Sequence, residues 1–271
     1  MLKTIVRMLG RCFVRLLYAR PDVWVLGYAK KTVWRLRAHG VAHTASEISI
    51  GVRNTFAWLA EEWYDSRCGI DTAGRALLYR ADGPPEANPL YLDYQPTPVR
   101  TMRALLRQLD ADMGSSTFVD FGSGKGRVLL IASEFSFTRV VGVEFDEKLH
   151  RTACANIRAF RGRRQCQDVT SVLGRAEEFD VPPGELILYF FHPFEGAIME
   201  RILDNVVSSY RESPRRILLV LFRPSHAALV DRCAEFRRLP VKPLPYDVVR
   251  LSSDYRDGTG APYDAAVFVA G

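Results

Sequence analysis

Asp120, Gly122, Ser123, Gly124 and Gly126 fall within seven residues, in the run Phe118-Val-Asp-Phe-Gly-Ser-Gly-Lys-Gly-Arg127. Residue types of this kind suit the floor of a ligand site. Glycine lets the backbone take turns closed to other residues and lets a ligand approach the main chain. The run begins as a short apolar strand and continues into an apolar stretch, Val128 to Ala132, that suits a helix. A glycine-rich turn between strand and helix forms a nucleotide-type site at the carboxyl end of a parallel sheet. Spacing narrows the ligand. A dinucleotide loop requires Gly-x-Gly-x-x-Gly, whereas these glycines alternate and Arg127 stands where the dehydrogenase glycine would fall. Asp120, just before the turn, suits a cationic or amine-bearing ligand better than a pyrophosphate. A second acid, Glu144, ends the run Arg139-Val-Val-Gly-Val-Glu144. It lies about 20 residues beyond the glycines, the usual distance for a ribose-binding carboxylate.

Asp-Phe-Gly-Ser-Gly-Lys-Gly resembles the first motif of class I S-adenosylmethionine (SAM) methyltransferases. The strand ending in Glu144, and the helix-like run from Phe145 to Asn156 after it, resemble the elements that follow in such enzymes. The resemblance implies SAM as cofactor, held by Asp120, Gly122, Ser123, Gly124 and Gly126, with Glu144 on the ribose. Tyr94-Gln-Pro-Thr-Pro98 resembles a Tyr-x-Pro-Ser/Thr element of lysine methyltransferases without a SET domain and of bacterial relatives of unassigned substrate. There it precedes the glycine turn and closes over SAM, which adds Tyr94 and Thr97 to the cofactor set. The same residues also fit a Pro-rich turn entering a helix with Thr97 as N-cap. Asp71-Thr72 either joins this lid or forms an ordinary turn. The acid that often holds the adenine amino group is missing. Gly174-Arg-Ala-Glu177 stands there, leaving either apolar and backbone contacts or Glu177.

A further apolar strand, Leu186 to Phe191, leads into His192-Pro-Phe194, where the resemblance places the methyl acceptor. His-Pro-Phe lacks the amide or acid and the second proline of base aminomethylases, which counts against nucleic acid. It is similar to the Asn-Pro-Phe of the unassigned bacterial relatives. His192 could take a proton from an ammonium, since an imidazole titrates near neutrality. Phe194 could face a cation or an alkyl stem. The alternative is a core strand followed by a polar loop residue. The reaction implied is direct in-line methyl displacement, in which positioning supplies most of the rate. A protein lysine amine is the favoured acceptor on resemblance alone. A small-molecule or lipid-linked acceptor, and a SAM-binding regulatory protein without turnover, stay open. No His/Cys/Asp cluster has metal-ligand spacing.

The elements that must position these residues follow from composition and period. The chain has 271 residues and is 48% hydrophobic, enough for one large α/β core with an appended segment. Its five cysteines lack C-x-x-C spacing, as expected of a reducing, cytoplasmic setting. The net +6 is concentrated in the first forty residues, where nine Lys and Arg against the single acid Asp22 exceed the whole chain's excess. Lys3, Arg7, Arg11 and Arg15 recur every four residues on one side of a helix. Such a helix, over residues 1–20, docks with a solvated basic face, lies on an anionic membrane surface, or meets nucleic acid or an acidic protein partner. It is too charged to span a bilayer and lacks a clear signal-peptide pattern.

Three divisions are therefore expected: a basic amphipathic helical segment (1–45), a helix with a Pro/Gly-rich lid (46–97), and a SAM-dependent methyltransferase domain (98–271). Val52, Phe56, Leu59 and Trp63 have helical period and predict a buried stripe. From residue 117 strands and helices alternate, the pattern of a parallel sheet covered on both faces. Strands are predicted near 117–121, 139–144, 169–173, 185–191 and 216–222, and helices near 125–134, 147–160, 195–209 and 225–235. Val248–Ser252 and Ala265–Ala270 are read as a closing antiparallel pair. The resemblance turns this into a Rossmann-like seven-stranded sheet, mostly parallel, with a C-terminal hairpin.

Overall fold

A computed structural model describes residues 59–73, 94–191, 196–244 and 265–271. All of them belong to one compact unit, Ala57–Asp247 with Leu251–Gly271. The basic N-terminal segment, and His192 and Phe194, lie outside the described residues.

Seven strands form one sheet: β1 (Ser116–Phe121), β2 (Arg139–Glu144), β3 (Val169–Leu173), β4 (Glu185–Phe191), β5 (Ile217–Phe222), β6 (Arg237–Leu239) and β7 (Ala265–Ala270). Their order is β3-β2-β1-β4-β5-β7-β6. Strands β1 to β5 pair in parallel, whereas β7 runs antiparallel to both β5 and β6. This is the Rossmann-like architecture that the resemblance implies.

The five parallel strands fall almost where their apolar runs predict. Of the closing pair, Ala265–Ala270 is β7 and runs antiparallel as expected. The strands on either side of β7 are β5 and β6, and the expected partner Val248–Ser252 lies outside the described residues. Arg237–Leu239 offers only three residues with little apolar pattern, too short a run to announce a strand.

Helical residues 59–68 (α1) precede α2 (Val99–Leu106). Then come α3 (Arg127–Ala132), α4 (Glu147–Ala159), α5 (Gly196–Glu212) and a single turn, α6 (Ala227–Val230). The longer helix expected over 225–235 stops at Val230.

Strand periodicity sorts the core into two layers. Phe118, Val140, Ile187 and Leu218 face a layer with Tyr64, Met102, Leu105, Leu129 and Leu130. Val119, Val143, Leu188 and Leu219 face the opposite layer, against Ile198, Met199, Ile202 and Val206 of α5. Every residue of β5 is buried, as expected of a strand covered on both faces.

In α1 the buried face is Tyr64, Asp65 and Cys68. The stripe predicted through Leu59 and Trp63 is not buried there: Leu59 is half-buried, and Trp63 is 47% exposed with Arg67 stacked 5.0 Å over its ring. Helical period finds an apolar face but does not reveal that a carboxylate, Asp65, is buried for the bonds it makes.

Candidate functional site

The glycine turn lies between β1 and α3. Gly122, Gly124 and Gly126 have φ of 80°, 54° and 81°, left-handed values that side chains with a Cβ rarely adopt. The turn is latched to the neighbouring strand, because Gly122 and Ser123 both donate their N–H to the Val143 carbonyl, at 2.9 and 3.1 Å. One glycine outside the motif is also required. A Cβ on Gly142 of β2 would meet Ser123 Oγ at 2.5 Å and Leu129 Cδ1 at 2.6 Å. The turn therefore rests directly on a bare strand backbone.

Glu144 joins this turn. One carboxylate oxygen accepts the Gly124 N–H at 2.7 Å and the other accepts the Asp146 N–H at 2.8 Å. Both acids of the motif are buried. Burial raises the Glu144 carboxyl above its ordinary range, against the pull of those backbone bonds. Asp120 is raised further, first by burial and then by the nearby charge of Glu144. The structure thus brings Asp120, Gly122, Ser123, Gly124, Gly126 and Glu144 together at the carboxyl ends of β1 and β2.

Lys125, the cation within the turn, points elsewhere. Its ammonium pairs with Asp71 at 3.1 Å, donates to the Ala73 carbonyl at 3.3 Å and lies 5.9 Å from the centre of the Tyr94 ring. Its partners are a carboxylate, a carbonyl and an aromatic ring, which are the surroundings of a structural cation.

Tyr94 packs against the turn so closely that a Cβ on Gly124 would lie 2.2 Å from its ring. The Tyr94 hydroxyl donates to the Thr72 carbonyl at 2.7 Å. Thr97 is not the N-cap of α2; that position is Pro98, with no side-chain cap. The Thr97 hydroxyl is instead hydrogen-bonded to the Tyr189 hydroxyl of β4 at 3.0 Å, in the buried interior. Tyr94 therefore meets the glycine turn directly, while Thr97 ties the same segment to the sheet.

Arg127 and Asn156 complete this arrangement, and sequence reasoning missed both roles. Arg127, the first residue of α3, is fully buried. Its guanidinium donates to Thr72 Oγ1 at 2.6 Å, to Asp65 Oδ1 at 3.0 Å and to the Glu61 carboxylate. Removing one member of a buried pair of this kind costs about 3–5 kcal/mol, because the partner charge is stranded. The Asn156 amide accepts the Asp71 N–H and donates to the Asp71 and Lys125 carbonyls, at 2.8, 2.8 and 2.9 Å. Arg127 occupies the position at which a dehydrogenase would carry glycine, and that departure was the one sequence signal for it.

At the carboxyl ends of β2 and β3, Glu144 pairs with Leu173. Phe145, Val172 and Leu173 are exposed apolar residues beside it. Glu177 has its side chain largely buried and paired with Arg175 at 3.5 Å. His192 and Phe194 follow β4, whose Phe190 is level with Phe121 of β1. The chain thus leaves β4 at the same sheet end as the glycine turn.

No family model matches the chain, and no curated protein matches its sequence. Solved structures give distant likenesses. An RNA methyltransferase from Salinibacter ruber, in complex with S-adenosylhomocysteine, is 18% identical with a TM-score of 0.39; the match covers 65% of this chain and 92% of that one. Magnesium protoporphyrin IX methyltransferase from Synechocystis PCC 6803, with bound SAM, is 13% identical with a TM-score of 0.43, over 64% and 78% of the two chains. Mitomycin 7-O-methyltransferase is 16% identical with a TM-score of 0.42, over 64% and 53%. With TM-scores of this size, the fold is read from the strand order itself.

Proposed function

We propose that the chain is a SAM-dependent methyltransferase that binds its cofactor across the carboxyl ends of β1 and β2. The observation that carries this reading is a pair of buried, charge-frustrated carboxyls, Asp120 and Glu144, converging on a glycine turn whose own lysine is engaged elsewhere. A dinucleotide or nucleoside triphosphate would bring further negative charge to such a site. SAM brings a sulfonium and an ammonium, which favour the ionised acids, and a ribose diol whose hydroxyls can donate to Glu144. The adenine would lie over Phe145 and Leu173, because Glu177 is engaged by Arg175. Tyr94 would close the near side.

Methyl transfer would proceed by in-line displacement onto an acceptor held beyond β4, with His192 accepting or orienting a proton and Phe194 lining the approach. A protein lysine amine is the proposed acceptor, on the likeness of the Tyr94 element to its counterpart in lysine methyltransferases without a SET domain. A small-molecule acceptor is the second reading, favoured by the half-buried, aromatic end of β4 at Phe191, which meets Phe222 edge-on at 4.9 Å. We also propose that residues 1–20 give peripheral contact with anionic lipid; no described helix is long and apolar enough to cross a membrane.

The test is calorimetric titration of SAM and NADH into the full chain, followed by incubation of labelled SAM with host lysate and separation of protein, nucleic acid, lipid and small molecules. SAM binding with label in the protein fraction supports the first acceptor. Label confined to small molecules supports the second. Tighter binding of NADH than of SAM would overturn the class.

A further inference from the structure

A guanidinium carries five N–H donors, and burying it is costly unless most of them find acceptors. Among the described residues, Arg127 meets that demand with partners at 61–72: Thr72 Oγ1, the Asp65 carboxylate and the Glu61 carboxylate. Arg127 itself belongs to α3, the helix that follows the glycine turn. Asp65 in turn accepts the N–H groups of Thr72 and Ala73 and the Thr72 hydroxyl, so its carboxylate closes the chain into a rigid bend. Gly69, at φ 71°, ends α1, and Ile70 donates back to the Asp65 carbonyl at 3.0 Å. Residues 61–73 therefore form a strap that Arg127 and Asp65 hold at Thr72, with Asn156 anchoring the adjacent Asp71.

The strap has an outlet toward the glycine turn. The Thr72 carbonyl, next to the threonine hydroxyl that Arg127 holds, receives the Tyr94 hydroxyl at 2.7 Å. The Tyr94 ring then covers Gly124 in direct contact. We propose that Arg127 is a positioning residue for cofactor binding: its fork fixes the strap, the strap fixes Tyr94, and Tyr94 completes the wall of the glycine-turn site. This rests on the reading of that turn as a SAM site. Arg127 touches no cofactor atom in this scheme. It acts on affinity by keeping the binding-competent arrangement populated, since apparent affinity falls in proportion to the competent fraction. Three acceptors at separate points require the planar fork, so lysine, a single point charge, is a poor substitute.

The test is calorimetric titration of S-adenosylhomocysteine into the full chain as wild type, Arg127→Lys, Glu61→Gln, Tyr94→Ala and the double variant Arg127→Lys/Tyr94→Ala. Arg127→Lys is expected to raise Kd about tenfold, as a competent fraction of one tenth would. Glu61→Gln should raise it by roughly two- to threefold on the same arithmetic. In the Tyr94→Ala background Arg127→Lys should change Kd by less than about twofold, because groups acting through one another are not additive. An unchanged Kd for Arg127→Lys with only a lower Tm would overturn the proposal, as would a full additive loss in the double variant. If Arg127→Lys does not fold, the milder Glu61→Gln decides, and a wild-type Kd there overturns the proposal. The wild-type titration separates the two levels. No binding by wild type defeats the SAM reading and the positioning role with it, whereas wild-type binding with insensitive variants defeats the positioning role alone.

Discussion

Tyr94 bridges the glycine turn and the strap, its ring on Gly124 and its hydroxyl on Thr72, yet the two are built on opposite principles. The turn bonds to itself and to the adjoining strand: Gly126 donates to the Ser123 carbonyl, and Gly122 and Ser123 donate to Val143. The strap is held by side chains far away in sequence, with Arg127 and Asn156 reaching partners 55 to 85 residues distant. A local device can be read from ten residues. A long-range one has no local mark, since Glu61, Asp65 and Thr72 each look like ordinary helix or turn residues until Arg127 is folded against them.

The comparison breaks most severely at the point of contact. Gly124→Val adds a Cβ 2.2 Å from the Tyr94 ring, at a φ of 54° that a β-branched residue resists. It should raise the Kd for S-adenosylhomocysteine on the order of 100-fold or more and lower Tm, since backbone strain and overpacking each cost about 1–3 kcal/mol. Pairing it with Tyr94→Ala should recover part of the lost Tm by removing the clash. If the pair melts no higher than Gly124→Val alone, Tyr94 does not set the need for glycine.

Glu144→Ala comes next. A charge-assisted hydrogen bond contributes about 1.5–3 kcal/mol, so losing those to the ribose should weaken binding about 10- to 100-fold. The variant also leaves the Gly124 N–H without its acceptor, so a fall in Tm should accompany the loss. Isothermal titration that returns the wild-type Kd would place the ribose elsewhere.

The parallel half of the sheet was legible because β1 to β5 are apolar runs with glycine or charged residues at their ends. The clustering of Asp120 and Glu144 at the glycine turn was legible because strand, turn and second strand are contiguous. Thr97 was open to two readings, and neither contained its bond to Tyr189, a residue 92 positions away. Gly142 was hidden differently: in sequence it is one glycine inside a valine-rich strand, and only the turn resting on it explains its size. Gly142→Ala should therefore destabilise the fold by about 1–3 kcal/mol through overpacking, seen as a lower denaturation midpoint. Because Ser123 and Leu129 can shift slightly, its effect on cofactor Kd should be smaller than that of Glu144→Ala. A midpoint equal to wild type would mean that the turn does not bear on β2.

The smallest expected effect has the opposite sign and sharpens the contrast between the raised carboxyl of Asp120 beside the glycine turn and the arginine-paired carboxylate of Asp65 in the strap. Burial and the charge of Glu144 hold the Asp120 carboxyl above the ordinary aspartate range, so the folded chain binds that proton more tightly than the unfolded chain does. The stabilisation this confers is complete below the ordinary aspartate value of about 3.9 and fades as pH rises through the elevated native value. Asparagine carries no charge to desolvate. Without ligand, Asp120→Asn should melt higher than wild type near pH 7, and the difference should shrink as pH falls toward about 4. A cationic cofactor favours ionised Asp120, so wild-type affinity for SAM should rise with pH through the same window. Asp120→Asn should bind SAM more weakly and lose most of that slope. Thermal melts and titrations across this range check both halves. An Asp120→Asn chain that is less stable than wild type at neutral pH, or that keeps the full slope, would show that Asp120 serves the fold and leaves the cation to another group.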